Sequence, residues 1–207
     1  MPELAVVLYA AYLGLAFGLR TWLQVRRTGA TGFVGLRGAP GSPEWAGGVL
    51  FAGALVLGAA APVLDLAGLA GPIAAVDGGL GHGAGAALSV GGIAATLAAQ
   101  IAMGDSWRIG VDPGERTEMV TDGPFAVVRN PIFAAMLPTS AGLVLLVPSV
   151  VALVGLAALL IALQLQTRVV EEPYLLATHG DDYAAYAARV GRFLPRVGRL
   201  TPARVAS

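Results

Sequence analysis

Long apolar stretches separated by short polar segments dominate the chain. A helix needs about 20 mostly apolar residues to cross a bilayer, and residues 4–23, 46–64 and 83–103 form three such stretches. A fourth apolar region, residues 130–167, contains no charged residue and is close to the length of two crossings. In its middle, the sequence Leu-Val-Pro148-Ser favours a tight turn. The pattern therefore predicts five membrane-spanning helices, of which the last two form a helical hairpin.

The composition agrees with an integral membrane protein. Of the 207 residues, 56% are hydrophobic and only 13% are charged, whereas a soluble domain usually carries about 25% charged residues. We therefore expect an all-α, polytopic membrane protein. Its two longest polar segments are residues 104–129 and 171–207, and the second is expected to form a helical C-terminal segment.

The absence of two residue types excludes several kinds of chemistry. Without cysteine, the chain has no disulfide, no thiolate nucleophile and no Cys-ligated metal. Without lysine, it has no P-loop, no Schiff-base residue and no polybasic nucleic-acid tail. The two histidines, His82 and His179, are far apart in the sequence. We therefore expect neither a metal site nor a nucleic-acid partner.

The arginines predict the orientation of the chain in the membrane. In a five-span arrangement all of them fall on one side, whereas residues 65–82 and the hairpin tip carry none. The positive-inside rule makes that side cytoplasmic and places the N-terminus outside. The preference for arginine, alanine and glycine indicates a GC-rich bacterial genome, and hence the inner membrane. The thirteen arginines are Arg20, Arg26, Arg27, Arg37, Arg108, Arg116, Arg129, Arg168, Arg189, Arg192, Arg196, Arg199 and Arg204.

Two glycine patterns have simple structural interpretations. Gly79, Gly81 and Gly83 alternate as in phosphate-binding loops, but no strand precedes them, so an external loop is expected. Gly14 and Gly18 match the small-xxx-small pattern of membrane helix packing. This packing face could lie within one chain or between protomers, and the oligomeric state stays open.

The residues before the hairpin combine a helix start with a cation. Pro124 marks a turn, Pro131 suits the first turn of a helix, and Asn130 is then the N-cap. Arg129 could simply anchor this end of the helix at the membrane surface. Alternatively, Arg129 and exposed backbone N–H groups at the helix start could receive an anionic group.

Two carboxylates follow the last span at membrane-surface depth. One of Glu171 and Glu172 could pair with a loop arginine, either Arg108 or Arg129. The other interpretation is a hydrogen-bond acceptor for ribose hydroxyls or for an amino group. Sequence spacing leaves both alternatives open.

Three residues of the C-terminal segment recur at helical spacing. Tyr183, Tyr186 and Arg189 are three residues apart and are expected to share one helix face. Tyrosines in such a stripe usually pack at an interface. They could equally line an adenine pocket.

Taken together, the motifs of the second half resemble a family. Gly123-Pro-Phe and Arg129-Asn-Pro precede the hairpin, and Glu171-Glu follows it. The chain then reads His179-Gly-x-x-Tyr-x-x-Tyr-x-x-Arg-Val-x-Arg-Phe-x-Pro195. This order resembles the isoprenylcysteine carboxyl methyltransferase-like membrane enzymes and the related phospholipid N-methyltransferases. The resemblance covers residues 100–195, roughly half of the chain.

The resemblance implies an S-adenosyl-L-methionine-dependent methyltransferase whose cofactor lies between the cytoplasmic loop and the C-terminal segment. Arg129 and Asn130 would face the cofactor's carboxylate, and Glu171 or Glu172 would hold its ribose or amino group. Arg108 and Glu172 are the implied catalytic residues, with Arg108 facing the acceptor. The implied cofactor-binding residues are Gln100, Val120, Thr121, Gly123, Pro124, Phe125, Val128, Arg129, Asn130, Pro131, Glu171, Glu172 and Tyr183.

Two departures from the family pattern affect the expected chemistry. Asn130 stands where the family most often has histidine, and Phe133 stands where it has tyrosine. Asparagine keeps the hydrogen-bonding capacity but cannot titrate, so this departure from the family pattern argues against a general base at this position. His179 stands where an aromatic residue is more usual, and no catalytic role is expected for it.

Methyl transfer is an in-line displacement that depends mainly on positioning, so arginines and carboxylates are adequate for it. We expect residues 1–103 to form three N-terminal spans and residues 104–207 to form the methyltransferase core. The acceptor should be lipophilic; an isoprenoid-type carboxylate is favoured, with a phospholipid amine or a small thiol as alternatives. A reductase of the sterol-reductase type that uses NADPH, a non-catalytic scaffold and a small transporter are the competing hypotheses.

Overall fold

The chain folds into a bundle of helices. The computed structural model describes residues 1–32, 35, 36, 38–107 and 119–200. Within these ranges the regular structure is helical, apart from one isolated parallel bridge between Val128 and Gly191. The α-helices are α1 (Pro2–Leu13), α2 (Arg20–Thr28), α3 (Pro43–Leu66), α4 (Gly79–Met103), α5 (Pro131–Leu146), α6 (Val150–Leu165) and α7 (Glu172–Arg189).

Helices occupy every stretch that the apolar pattern marked as a span. The π-helical turn Gly14–Leu19 joins α1 and α2 into one helix, Pro2–Thr28. This helix, α3, α4 and the helix that begins with α6 are long and apolar enough to cross a membrane. Helix α5 has 16 residues and is shorter. The turn between α5 and α6 falls at Val147–Ser149, where Pro148 predicted it.

One expected boundary is wrong. Gly79, Gly81 and Gly83 were expected in an external loop, but α4 already begins at Gly79. Gly78 is the N-cap residue in an extended conformation. The alternating glycines therefore lie at the start of a long helix and not in a loop.

Close contacts between glycines and backbone hold α4 against α5. A Cβ atom on Gly85 would lie 2.7 Å from the carbonyl oxygen of Gly142, and one on Gly92 would lie 2.8 Å from the amide nitrogen of Thr139. Small residues allow membrane helices to approach this closely, and van der Waals packing then stabilises the pair. The contacts pair the start of α4 with the end of α5, so the two helices are antiparallel.

Helices α3 and α6 form a second antiparallel pair. A Cβ atom on Gly47 would lie 3.2 Å from Cβ of Leu165, and one on Gly155 would lie 3.2 Å from Cβ of Leu57. Helix α1 packs between the pairs, and the Tyr9 hydroxyl donates a hydrogen bond of 2.5 Å to the carbonyl of Leu55. The shared core contains Tyr12, Ala16, Ala54, Ile93, Met136, Leu159 and Leu163.

Two π-helical turns lie at the same end of the bundle. Gly14–Leu19 contains Ala16, whose carbonyl accepts a 2.8 Å hydrogen bond from Nε2 of Gln100 near the end of α4. The second turn, Gln166–Glu171, connects α6 to α7. We call this end, where α4 and α6 finish and α5 begins, the site end. π-helical turns are uncommon and occur frequently at functional sites.

Candidate active site

Three buried charged side chains meet at the site end. Arg129 directly precedes the N-cap of α5, Glu172 is the first residue of α7, and Arg192 follows α7. Only 5%, 6% and 7% of their respective surfaces are exposed. Oε1 of Glu172 lies 2.5 Å from Nη2 of Arg129 and 2.8 Å from Nε of Arg192. We call these three residues the ion triad.

The guanidinium of Arg129 is held on several sides. Its Nη1 donates to the carbonyls of Ala187, at 2.9 Å, and Val190, at 2.7 Å. Its Nη2 donates to the carbonyl of Gly198, at 3.1 Å, as well as to Glu172. Of the two carboxylates, Glu172 therefore forms the ion pair with Arg129.

The backbone N–H groups just before α5 are also occupied. The amide of Arg129 donates to the carbonyl of Gly191, at 2.8 Å, and that of Asn130 donates to the carbonyl of Arg192, at 3.1 Å. Asn130 is the N-cap residue, but its side chain makes no capping hydrogen bond, and Pro131 is the first helical residue. These two amides bind the chain's own C-terminal segment.

The ion triad has an unbalanced charge. Two guanidinium groups share one carboxylate, which leaves one net positive charge among the three residues. Nε of Arg129 is buried and has no hydrogen-bond partner among the described residues. A buried donor without a partner costs about 1–3 kcal/mol. This corner of the site is therefore suited to an anionic or hydrogen-bond-accepting ligand.

Gln100 and Thr167 are also buried at the site end, and each has a side-chain oxygen with no hydrogen-bond partner within the described ranges. Oε1 of Gln100 is unpartnered, although its Nε2 binds Ala16. Oγ1 of Thr167, in the second π-helical turn, is also unpartnered. Gln100 lies one helical turn after Leu97, which packs against the shared core. Thr167 lies one turn after Leu163, which is a member of that core. Both polar groups therefore lie on core-facing sides of their helices.

The two tyrosines of α7 pack rather than line an open pocket. Tyr183 and Tyr186 are buried, and their ring centroids are 6.1 Å apart. The hydroxyl of Tyr186 donates a 2.7 Å hydrogen bond to the carbonyl of Phe125. This bond fixes α7 to the 3-10 turn Gly123–Ala126. Arg189, expected on the same face, is exposed at the end of the helix.

The other expected site residues differ in exposure. Phe125, Val128 and Pro131 are buried; Val120, Pro124, Asn130 and Glu171 are half-buried; Thr121 and Gly123 are exposed. Arg108 lies outside the described residues. The residues that sequence reasoning did not assign to the site are Arg192 and Thr167. Arg192 belongs to the C-terminal motif that ends at Pro195, and this motif could have indicated it. Nothing in the sequence distinguishes Thr167.

The first helix also reaches this end of the bundle. The guanidinium of Arg20 donates to the carbonyl of Gly104 and lies over the ring of Trp107, 4.8 Å from its centroid. Trp107 is buried. The described residues contain no group of three His, Asp or Glu side chains that could hold a metal ion.

The comparison with protein families identifies the class. Residues 80–182, about half of the chain, match the family described as phospholipid methyltransferase. The chain belongs to this family of membrane methyltransferases, which confirms the resemblance seen in its motifs. No curated protein and no solved structure gives a significant match. The matched region contains α4 apart from Gly79, the α5–α6 hairpin, Arg129 and Glu172, but neither α1–α3 nor Arg192.

Proposed function

We propose that the chain is an integral membrane methyltransferase that uses S-adenosyl-L-methionine and acts on a lipophilic acceptor at the cytoplasmic membrane face. The observation that carries this proposal is the ion triad, with its net positive charge and its unpartnered Nε atom of Arg129. Arg129 and Glu172 both lie inside the segment that matches a methyltransferase family.

The unsatisfied groups of the site end fit the cofactor chemically. S-adenosyl-L-methionine carries a carboxylate, an ammonium group, ribose hydroxyls and an adenine amine. Nε of Arg129 can donate to the carboxylate, while Gln100 and Thr167 offer acceptor oxygens for hydroxyl or amino hydrogens. When bound, the cofactor supplies an activated methyl group on its sulfonium.

Glu171 is the better candidate for the ribose or amino group. Both carboxylate oxygens of Glu172 already accept hydrogen bonds from Arg192, and one also accepts a bond from Arg129. Glu171 is half-buried, one residue earlier. In this assignment Glu172 holds Arg129 in place. The half-buried Asn130 borders the cofactor site, and the buried Val128 and Tyr183 pack behind it.

The proposed arrangement of the helices in the membrane determines how the acceptor reaches the site. We infer that α5 and α6 cross the membrane as a hairpin, giving five spans, an external N-terminus and a cytoplasmic C-terminus in the bacterial inner membrane. Residues 1–103 then form three N-terminal spans, and residues 104–207 form the methyltransferase core. A lipophilic acceptor would reach the methyl group from the bilayer, with an isoprenoid-type carboxylate favoured and Arg108 facing it.

Methyl transfer can be tested directly with labelled cofactor. The purified protein in detergent is incubated with methyl-labelled S-adenosyl-L-methionine in two separate reactions. One reaction contains farnesoic acid as the acceptor, and the other contains phosphatidylethanolamine. We expect label in the lipid extract, and at least a ~10-fold lower rate for Arg129→Lys, because lysine cannot reproduce the guanidinium fork. Arg189→Lys, at an exposed position beyond the same site, is the matched control and should retain the wild-type rate.

The two acceptors distinguish transfer to a carboxylate from transfer to a phospholipid amine. Label in farnesoic acid indicates transfer to a carboxylate, and label in phosphatidylethanolamine indicates transfer to an amine. A well-folded wild-type protein that labels neither these acceptors nor a total extract of bacterial lipids would contradict the proposed activity.

A further inference from the structure

Much of the hydrogen bonding to Arg129 comes from residues beyond the family-matched segment, which ends at residue 182. The carbonyls of Ala187, Val190 and Gly198 accept bonds from its guanidinium. The carbonyl of Gly191 accepts the bond from its backbone amide. We call residues 190–200, which follow α7 and fold back over the start of α5, the C-terminal strap.

Arg192 fastens the strap to α7. Its Nε lies 2.8 Å from Oε1 of Glu172 and its Nη2 lies 2.9 Å from Oε2, so the two side chains form a bidentate pair. Both side chains are buried. Bidentate arginine–carboxylate pairs are stronger and more directional than single charged hydrogen bonds. Lysine, a point charge on a flexible stem, cannot make the same pair.

The strap is a tight turn around Arg192. The amide of Arg192 donates to the carbonyl of Val197, at 2.8 Å, and the amide of Val197 donates to the carbonyl of Leu194, at 3.1 Å. A Cβ atom on Gly191 would lie only 2.7 Å from the amide nitrogen of Arg196. The backbone on both sides of Arg192 is therefore fixed, and its side chain has little freedom to point elsewhere.

Gly198 links Arg192 directly to Arg129. It has a φ of +73°, and a Cβ atom there would lie 3.0 Å from Nη1 of Arg192. The carbonyl of the same residue accepts the hydrogen bond from Nη2 of Arg129. A displacement of the Arg192 side chain would therefore be transmitted to Arg129 through Gly198 as well as through Glu172.

We propose that Arg192 is a positioning residue, which acts through Glu172 and Gly198 to aim the Nε edge of Arg129 at the carboxylate of the bound cofactor. Nη1 and Nη2 of Arg129 are held by α7 and the strap, and Nε is the guanidinium nitrogen with no hydrogen bond to the described residues. The inference rests on the proposed function, because the ligand that reports on Arg129 is the methyl donor's product, S-adenosylhomocysteine.

The test compares two ligands that differ in the amino-acid part. S-adenosylhomocysteine carries the carboxylate, whereas 5′-methylthioadenosine lacks both carboxylate and amino group. We expect Arg192→Lys to weaken S-adenosylhomocysteine binding at least ~10-fold. The reason is that a tenfold loss of affinity is the size expected when one charged hydrogen bond to the ligand is misplaced. Affinity for 5′-methylthioadenosine should stay within about twofold of the wild-type value. Arg199→Lys, at an exposed position of the strap, is the matched control and should leave both affinities unchanged.

A second variant keeps the proposal testable if Arg192→Lys does not fold. Gly198→Ala removes no charge but crowds the Arg192 guanidinium, and it should produce the same selective loss. Gly29→Ala, at a φ of +78° with no neighbouring atom within 4 Å, controls for backbone strain.

The two ligands distinguish failure of the positioning role from failure of the proposed function. Equal weakening of both ligands, or no weakening of either, in a folded Arg192→Lys or Gly198→Ala protein would overturn the positioning role and leave the proposed function standing. A folded wild-type protein that binds neither ligand would remove the proposed function, and the positioning role with it.

Discussion

Replacing Glu172 by glutamine is expected to destabilise the folded protein by about 3–5 kcal/mol, because two buried guanidinium groups lose their shared counter-charge. Glu172 is 6% exposed, and both of its oxygens accept charged hydrogen bonds from Arg192 or Arg129. Glutamine has nearly the same shape but carries no charge and only one acceptor oxygen. Reversible unfolding in mixed detergent micelles, followed by circular dichroism, measures the difference.

Asp181→Asn is the matched control for Glu172→Gln. Asp181 is an exposed acidic residue in the part of α7 that follows the non-helical Gly180, and its substitution should change the free energy of unfolding by no more than about 0.5 kcal/mol. The double variant Glu172→Gln, Arg192→Gln should lower the free energy of unfolding by less than the sum of the two single changes. The reason is that Arg192→Gln removes a buried positive charge that Glu172→Gln leaves without a counter-charge. A cost below about 1 kcal/mol for Glu172→Gln would show that the ion triad does not hold the site end together.

Gly92→Ala is expected to disrupt the α4–α5 pair. A Cβ atom there would lie 2.8 Å from the amide nitrogen of Thr139 and 3.0 Å from the carbonyl oxygen of Ala135, and neither backbone atom can move without shifting α5. Overpacking of this kind costs about 1–3 kcal/mol or more. We expect a several-fold lower fraction of monodisperse protein in size-exclusion chromatography and a lower midpoint of thermal unfolding.

The adjacent glycine provides the control for Gly92→Ala. A Cβ atom on Gly91 would have no neighbour within 4 Å, and the residue is exposed. Since alanine is favoured over glycine in a helix by about 0.5–1 kcal/mol, Gly91→Ala should be neutral or mildly stabilising. Equal effects of the two substitutions would contradict a role for close α4–α5 packing.

Much of the fold follows from local sequence signals. Span length is set by bilayer thickness, so apolar stretches of about 20 residues located the long helices. Pro148 located the turn between α5 and α6, and Pro131 and Asn130 located the start of α5. The start of α4 was placed too late, because alternating glycines suggest a loop unless neighbouring helices favour helical structure.

The site was less predictable, because its partners are distant in the sequence. Residues 129, 172 and 192 come together only when α7 and the C-terminal strap fold back over the start of α5. The sequence offered the pairing of a carboxylate with Arg129 as one alternative, but no spacing rule could choose it. The π-helical turns and the buried hydroxyl of Thr167 depend on helix packing and have no local signature.

In the proposed function, the site end binds S-adenosyl-L-methionine through Arg129. Isothermal titration calorimetry of the detergent-purified protein with S-adenosylhomocysteine tests it most directly, with Arg129→Ala as the site variant and the exposed Arg189→Ala as its control. We expect one ligand per chain for the wild type and for Arg189→Ala, and loss of binding for Arg129→Ala. A folded wild-type protein without binding, or a folded Arg129→Ala protein with wild-type affinity, would contradict the claim.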